Sequence, residues 1–348
     1  MKRVCLKDVA EAAGVSAVTA SIVLNGGSTR SRARVGAARQ EEIRRIAAEL
    51  GYRASAAARI LKCKELNDIG LLFFENAQNI REHVGFTDLN IQFTRTCREL
   101  GIRCQVDWFD SLHHPDELPG LLTDGLVGGL LIAGNPNGES ERFLREQCRM
   151  PFVRIEEPGE YSVMFDPAPA LREALEYLAA TGHRRLGFVN GPARFQRYRH
   201  IRGIVASETA RLGMESPQEF YYEAEPYEDF SVDAVLAERR LMDCGEPPDA
   251  VLVSSAVLGK AFVSLLQQRG LRVPLDVGVV CFEATDWDAL KFVPRLTAVE
   301  YDYTEIAARA VRMLQELMKS GTVREPRLLV PERFTVRDTV IDRRGRKQ

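Results

Sequence analysis

The spacing of apolar positions divides the chain into two regimes. From Leu6 to Leu50 they recur at helical intervals, as on the buried faces of amphipathic helices. From Asp68 to about residue 340 they come in short continuous runs separated by amphipathic stretches, as in buried strands covered by helices. In the first regime, residues 6–13 predict a helix with Val9, Ala10 and Ala13 on one face. Gly14 supplies the backbone angles of a sharp turn, and Ser16 caps a second helix over Ala17–Leu24. Ala10 is small enough for the two helices to cross closely, and Val9, Val15 and Val23 form a miniature core. A third helix, 37–50, carries Ile43, Ile46, Ala47 and Leu50; Gly51 ends it and Tyr52 packs beneath the three. Two short helices around a tight turn are the layout of a helix-turn-helix, whose second helix enters the DNA major groove. The alternative is an ordinary helical hairpin in a larger core. Ser55 caps a further short helix, 56–62, too short to hold alone and so dependent on a dimer partner or on DNA.

The second regime reads as α/β. Strands are expected at 68–74, 103–109, 128–134 and 151–157, then at 185–191, 219–223, 249–255 and 277–282. Helices are expected at 87–100, 116–123, 139–148, 169–181, 198–212, 231–243 and 257–269. Two such sets imply two parallel sheets, hence two Rossmann-like lobes, with ligands at the carboxyl ends of the strands in the cleft between them. Strand 296–302 and helix 303–319 are expected to return to the first lobe, and 328–340 to pair into the second. The organisation is then a head at 1–54, a hinge helix and linker at 55–66, and a core at 67–340. Within the core, lobe one takes about 67–164 and 297–322, and lobe two about 165–296 and 323–340. A basic tail, 341–348, is expected to be disordered from Arg343 onward.

Charge sharpens this division. The 348 residues are 45% apolar and carry a formal net charge of −2, but the balance is uneven. In residues 1–64, Lys and Arg outnumber Asp and Glu thirteen to five; in the rest they are outnumbered 44 to 34. A basic head on an acidic body suits polyanion binding by the head alone. The seven cysteines form no CxxC pair and are odd in number, which points to reduced thiols in a cytosol. No apolar run is long enough for a membrane span, and the N-terminus lacks a signal-peptide apolar region. The sequence contains no P-loop, nucleophile elbow, dinucleotide fingerprint or metal-ligand cluster. Neither an enzyme nor a cofactor or metal site is expected.

The blocks KDVAEAAGVS (7–16), Thr19 with Ser21, VLN (23–25), AAELGY (47–52) and ARIL (58–61) make the first 62 residues resemble the DNA-binding head of the lactose-repressor (LacI/GalR) family. The resemblance implies a hinge helix and a periplasmic-binding-protein-like core that dimerises and binds a small effector. The implied function is a cytoplasmic transcriptional regulator, a repressor, that binds a near-palindromic DNA operator as a homodimer. By position, Ala17, Val18, Ser21 and Ile22 would face base edges; Ser16, Thr19 and Asn25 would hold phosphates. Tyr52 is counted with the DNA-binding set, and Leu61 would wedge into the minor groove. Ile22 stands where the family usually has Arg, so a bidentate guanine contact worth ~1–3 kcal/mol is absent and thymine methyls are the natural target. The 26–36 loop places Arg30, Arg32 and Arg34 at alternating positions, either on backbone phosphate or a minor groove, or simply in solvent.

The resemblance extends through MPFVRIEE (150–157), TGHRRLGFVNGP (181–192), GLRVPLDVGVVCF (270–282) and PRLTAVEYD (294–302). In this core Glu283 and Ser255 stand near the pocket as hydroxyl partners, and Arg197, Arg199 and His200 as donors. Arg197 and Arg199 read equally well as solvated helix charges. Phe74, Trp108 and Trp287 are candidate stacking surfaces, with core packing the competing role for Phe74. His183, Arg184 and Arg185 read as a polar lead-in to a strand. A sugar or sugar derivative is the effector class in view. The competing function, a solute-binding protein of a transporter, fits the body but not the basic head.

Overall fold

Three helices build the head: α1 (Leu6–Ala12), α2 (Ala17–Leu24) and α3 (Ala37–Glu49). The Asp8 carboxylate accepts the Cys5 N–H at 2.7 Å at the start of α1. Ser16 Oγ accepts the Thr19 N–H at 3.1 Å at the start of α2. Gly14 turns the chain between them with φ of 58°, a left-handed backbone that costs glycine little. The Arg39 guanidinium, from α3, donates to the Ala13 carbonyl at 2.7 Å and so ties the third helix to the turn. Val9 and Val23 are buried as expected and Val15 partly so; the centre of this small core is Ile43, which packs with Ala13 and Val23.

This computed structural model describes residues 4–24, 35–52, 66–74, 84–193, 195–224, 230–285 and 289–344. It divides into two units, Met1–Leu66 and Asn67–Gln348. The hinge helix expected at 56–62 lies outside the described residues. No described helix is long and apolar enough to cross a membrane.

The core contains two six-stranded sheets. Sheet one has the order β11-β5-β4-β3-β1-β2, with β1 (Ile69–Phe74), β2 (Cys104–Phe109), β3 (Gly129–Gly134), β4 (Phe152–Ile155), β5 (Ser162–Asp166) and β11 (Arg327–Pro331), all parallel. Helices α4 (Val84–Glu99) and α11 (Tyr303–Ser320) cover one face through Leu89, Phe93, Ile306, Ala310 and Leu314. Helices α5 (Gly120–Thr123) and α6 (Gly138–Glu146) cover the other through Leu121, Leu122 and Leu144. Sheet two has the order β12-β10-β9-β8-β6-β7. Its strands are β6 (Leu186–Asn190), β7 (Tyr221–Glu223), β8 (Ala250–Ser254), β9 (Gly278–Ala284), β10 (Thr297–Glu300) and β12 (Arg333–Thr335), with only β12 antiparallel. Helices α7 (Ala168–Ala180) and α8 (Gln196–Leu212) lie on one face, α9 (Phe230–Met242) and α10 (Ala256–Gln268) on the other. Strand order reverses about β1/β3 and about β6/β8, which sets the switch points where such sheets hold ligands.

Several expectations need correction. Strand 296–302 does not return to lobe one: β10 is fully buried in sheet two beside β9, and the crossing comes at Tyr301–Asp302. There the Asp302 carboxylate accepts the Thr304 and Glu305 N–H groups and starts α11. Residues 328–340 do not all join lobe two: β11 pairs with β5 in sheet one, β12 with β10 in sheet two, and Glu332 is the crossing between them. The third crossing is Pro167, between β5 and α7. Strand β5 itself was not anticipated. It runs parallel to β4 after a short return without a helix, begun by Glu156 at φ of 62°. The tail is also partly tied down, since the Arg343 N–H donates to the Thr181 carbonyl at 2.8 Å. The segment His183–Arg185 is indeed a strand lead-in: His183 is buried, and the Arg184 and Arg185 N–H groups both donate to the Asp249 carboxylate.

Candidate functional site

Two places in the fold carry candidate chemistry. The first is the outer face of α2. Ser16, Ala17 and Val18 are exposed, Val18 to 67%, while Thr19 and Ile22 are half-buried. Ser16 Oγ and Thr19 Oγ1 lie 2.8 Å apart at the start of the helix. Ser21 corrects the expectation. It is only 5% exposed and sits on the inward side with Ala20 and Val23, because α2 must bury that stripe against its neighbours. It is therefore not among the residues open to a base edge. Tyr52 is half-buried, its N–H donating to the Ala47 carbonyl at 2.8 Å. Asn25, Arg30, Arg32, Arg34 and Leu61 lie outside the described residues.

Helix α2 carries no charge, whereas the arginines of α3 are matched by its own glutamates. Arg39 pairs with Glu42, Arg44 with Glu41 and Arg45 with Glu49. The positive excess of the head therefore falls on sequence outside these helices: the N-terminal residues, the 26–36 loop and residues 53–64. The exposed face of α2 at Ala17 and Val18 is uncharged, and the cationic residues lie in other stretches of the head's sequence.

The second place is where the two sheets of the core meet, at the carboxyl ends of their strands. Arg197, in the first turn of α8, is the centre. Its Nε donates to Glu283 Oε1 at 2.9 Å and its Nη2 to Glu332 Oε1 at 2.6 Å, while Nη1 lies 3.5 Å from Glu156 Oε2. The guanidinium also stands 5.1 Å from the centre of the Tyr301 ring. Glu283 Oε2 accepts from Tyr198 at 3.0 Å and Ser254 at 2.8 Å, and Oε1 accepts from Tyr301 at 3.1 Å. Glu156 Oε1 accepts the Phe165 N–H at 2.5 Å. Tyr301 stacks on Phe165 at 4.5 Å, and Tyr303 meets both rings edge-on. Glu156 comes from the end of β4, Glu283 from β9, Tyr301 and Glu332 from two of the crossings. The cluster thus draws on both sheets and on the segments that join them.

Backbone and charge are both under tension here. Glu156, Ser255 and Glu283 are the non-glycine residues in left-handed backbone among the described residues, with φ of 62°, 62° and 60°. Each such position costs about 1–3 kcal/mol and persists only where its surroundings enforce it. The side chains of Arg197 and Glu156 remain 20% and 24% exposed, Glu283 9% and Glu332 not at all. Burial pushes the Glu156 carboxyl up to about 7 against the pull of Arg197. Burial likewise raises Glu332, again opposed by Arg197. Burial works against the Arg197 charge, yet Glu332, Glu283 and Glu156 hold its pKa well above the ordinary value. Glu332 Oε2 is buried without a hydrogen-bond partner.

The structure brings together only part of the expected effector set. Arg197 and Glu283 join directly. Arg199 is exposed and donates to the Ala193 carbonyl at 2.6 Å, and His200 is exposed. Ser255 caps α10 by accepting the Leu258 N–H, so its neighbour Ser254 is the one that reaches Glu283. Phe74 is 2% exposed within the lobe-one core, and Trp108 stacks on Phe73 at 3.9 Å and meets Phe86. Both belong to lobe-one packing, because apolar side chains at the ends of β1 and β2 fall under the covering helices. Trp287 lies outside the described residues. Glu156, Glu332 and Tyr301 were missed. The available signal was a charged or aromatic residue at the carboxyl end of a strand, the position that Glu283 also occupies. Among the described residues no three His, Cys, Asp or Glu converge as a metal-holding set.

Comparison with known proteins places both halves. The family model of bacterial regulatory proteins, lacI family, matches residues 5–55, and that of the periplasmic binding protein-like domain matches 175–340. The chain is 27% identical over 352 residues to the HTH-type transcriptional regulator CelR of Thermobifida fusca, covering 97% of this chain and 98% of that protein. It is 25% identical over 350 residues to catabolite control protein A of Priestia megaterium, covering 97% and 99%. Among solved structures, a CelR–cellobiose complex superposes with a TM-score of 0.68 at 25% identity, covering 97% of this chain and all of that one. A lac repressor dimer bound to operator and an anti-inducer shares the fold with a TM-score of 0.79 at 22% identity, covering 98% and 100%. The chain thus joins a lacI-family helix-turn-helix head to a periplasmic-binding-protein-like core, the make-up of the lacI-family DNA-binding transcriptional regulators to which it is similar.

Proposed function

We propose that this regulator is a cytoplasmic repressor that binds a near-palindromic operator as a homodimer and is controlled by a small effector in the interlobe cleft. The observation that carries the DNA-binding half is the uncovered, uncharged face of α2 at Ala17 and Val18, on the one part of the chain with a large positive excess. Ala17, Val18 and Ile22 read bases through apolar contact, and Ser16 and Thr19 hold backbone phosphate. Asn25, Arg30, Arg32 and Arg34 extend the phosphate contacts, Tyr52 supports them, and Leu61 of the hinge wedges into the minor groove. Dimerisation is supported by the exposed apolar residues Val232 and Leu236, one turn apart on α9, with Val257 on the adjoining α10.

The effector half rests on the Arg197 cluster. Its members come from both lobes, so a ligand seated there binds open and closed arrangements with different affinity. That difference is the whole of its leverage on the separation of the two heads. CelR, whose complex holds cellobiose, is the relative that favours a sugar or sugar derivative. Selection of random duplexes by the full-length protein tests the reading. An inverted repeat is expected to be enriched, with affinity falling steeply in salt. Absence of enrichment removes the proposal.

A further inference from the structure

Among the described residues, the interlobe cluster holds more carboxyl groups than cations. Three of them, from Glu156, Glu283 and Glu332, surround the Arg197 guanidinium, and each nitrogen of Arg197 already faces one of them. Among the described residues, Arg199 is engaged with the Ala193 carbonyl, Arg202 stands over the Tyr221 ring at 4.3 Å, and Arg154 pairs with Glu141. Asp166 adds a further negative charge that acts on Glu332. Glu332 Oε2 is fully buried and has no donor, although its other oxygen is bonded to Arg197 within the cluster. A buried acceptor in that state is costly and calls for a donor.

These features constrain what can sit there. An anionic ligand would add negative charge to a site whose one guanidinium among the described residues is already matched, in surroundings where charges interact strongly. A neutral hydroxylated ligand would find acceptors but bring no countercharge to the surplus carboxyl groups. An ammonium group supplies three donors and the missing positive charge together. The aromatic surface of Phe165, Tyr301 and Tyr303 suits both a sugar ring and a cation. Taking the cluster as the effector site proposed above, we infer that the effector is a small polyol bearing a protonated amine, of the amino-sugar type, and that acidic and phosphorylated sugars are excluded.

The test titrates the full-length protein calorimetrically with glucosamine, galactosamine and mannosamine. Their parent hexoses, N-acetyl forms and hexose phosphates are run alongside. At least one amine is expected to bind tenfold or more tightly than its parent. Acetylation, which keeps the skeleton and removes the charge, is expected to abolish that advantage, and the phosphates are expected not to bind. In Glu332→Gln the ratio of amine to parent affinity is expected to fall toward one. Glu156→Gln, altering a more exposed carboxylate, makes the same comparison should the first variant fail to fold. Parent hexoses or phosphates binding as tightly as the amines, or no binding by any amine, overturns the inference. Operator selection is scored separately. A protein that selects an operator but shows no amine preference refutes this inference and leaves the regulator reading standing; the converse outcome refutes the regulator reading alone.

Discussion

Replacing Ile43 by alanine tests how helix α2 is held in the head. Among the described residues of the head, the buried apolar side chains larger than alanine are Val9, Val23 and Ile43. Ile43→Ala removes three carbons from a fully buried site. At about 0.8 kcal/mol per buried carbon the transfer loss is roughly 2.4 kcal/mol, and an unrelaxed cavity brings the total to about 3–4 kcal/mol. A unit of some fifty residues has a total stability of about 2.5–7.5 kcal/mol. The variant therefore loses about 40% or more of what holds α1, α2 and α3 together, while β1, β3 and α11 are untouched. Hydrogen exchange by mass spectrometry reads this directly. Peptides spanning 5–24 and 37–50 are expected to lose protection by about two orders of magnitude, with core peptides unchanged. Operator affinity falls only once the loss exceeds the head's own stability, so protection is the more sensitive readout. Unchanged protection in those peptides, or a loss that spreads to β1 and β3, refutes the assignment of Ile43 as the centre of a separate small core.

Glu156 predicts a pH dependence. Its folded pKa, about 7, is raised above the ordinary 4.5, so the folded state holds a proton that the unfolded state has already released between those values. Stability from this group is present below about pH 4.5 and is lost as pH rises toward 7, on the order of 3 kcal/mol in all. The urea midpoint of the core should fall between about pH 5 and pH 8 and should do so less in Glu156→Gln; equal slopes contradict the assignment. Val18→Ser should change base preference at one position of each half-site by about 1 kcal/mol, the scale of one lost methyl contact, with the salt slope unchanged. A uniform loss over all sequences would instead make Val18 structural. Changing Arg30, Arg32 and Arg34 together to alanine should lower the salt slope by up to ~0.9 per phosphate contact removed. An unchanged slope leaves the loop in solvent.

The helix-turn-helix was legible because every determinant is local: a glycine for the turn, a serine cap, and apolar spacing that closes on itself within twenty residues. Ser21 was misplaced because position along a helix does not say which side the third helix covers. Most of the sheet strands were legible from their apolar runs, but partnership was not. β5 was hidden because a parallel neighbour ordinarily needs a long crossover, and here a left-handed Glu156 replaces it. The sequence around Glu332 reads as one extended segment, yet the chain changes sheets there. Only the tertiary fold reveals that Glu332, 135 residues from Arg197, is its closest carboxylate. For the same reason Arg197 could not be told from Arg199 in advance: both lie at the start of one helix, and only one has carboxylates waiting opposite.

The central claim is that two heads act together on one operator. The direct measurement is the affinity and stoichiometry of the full-length protein on the selected inverted repeat, compared with the same duplex carrying one half-site scrambled. Two chains per intact duplex are expected, with affinity falling by a factor of at least a hundred when one half-site is lost. Equal affinity for the two duplexes, or one chain per intact site, would contradict it.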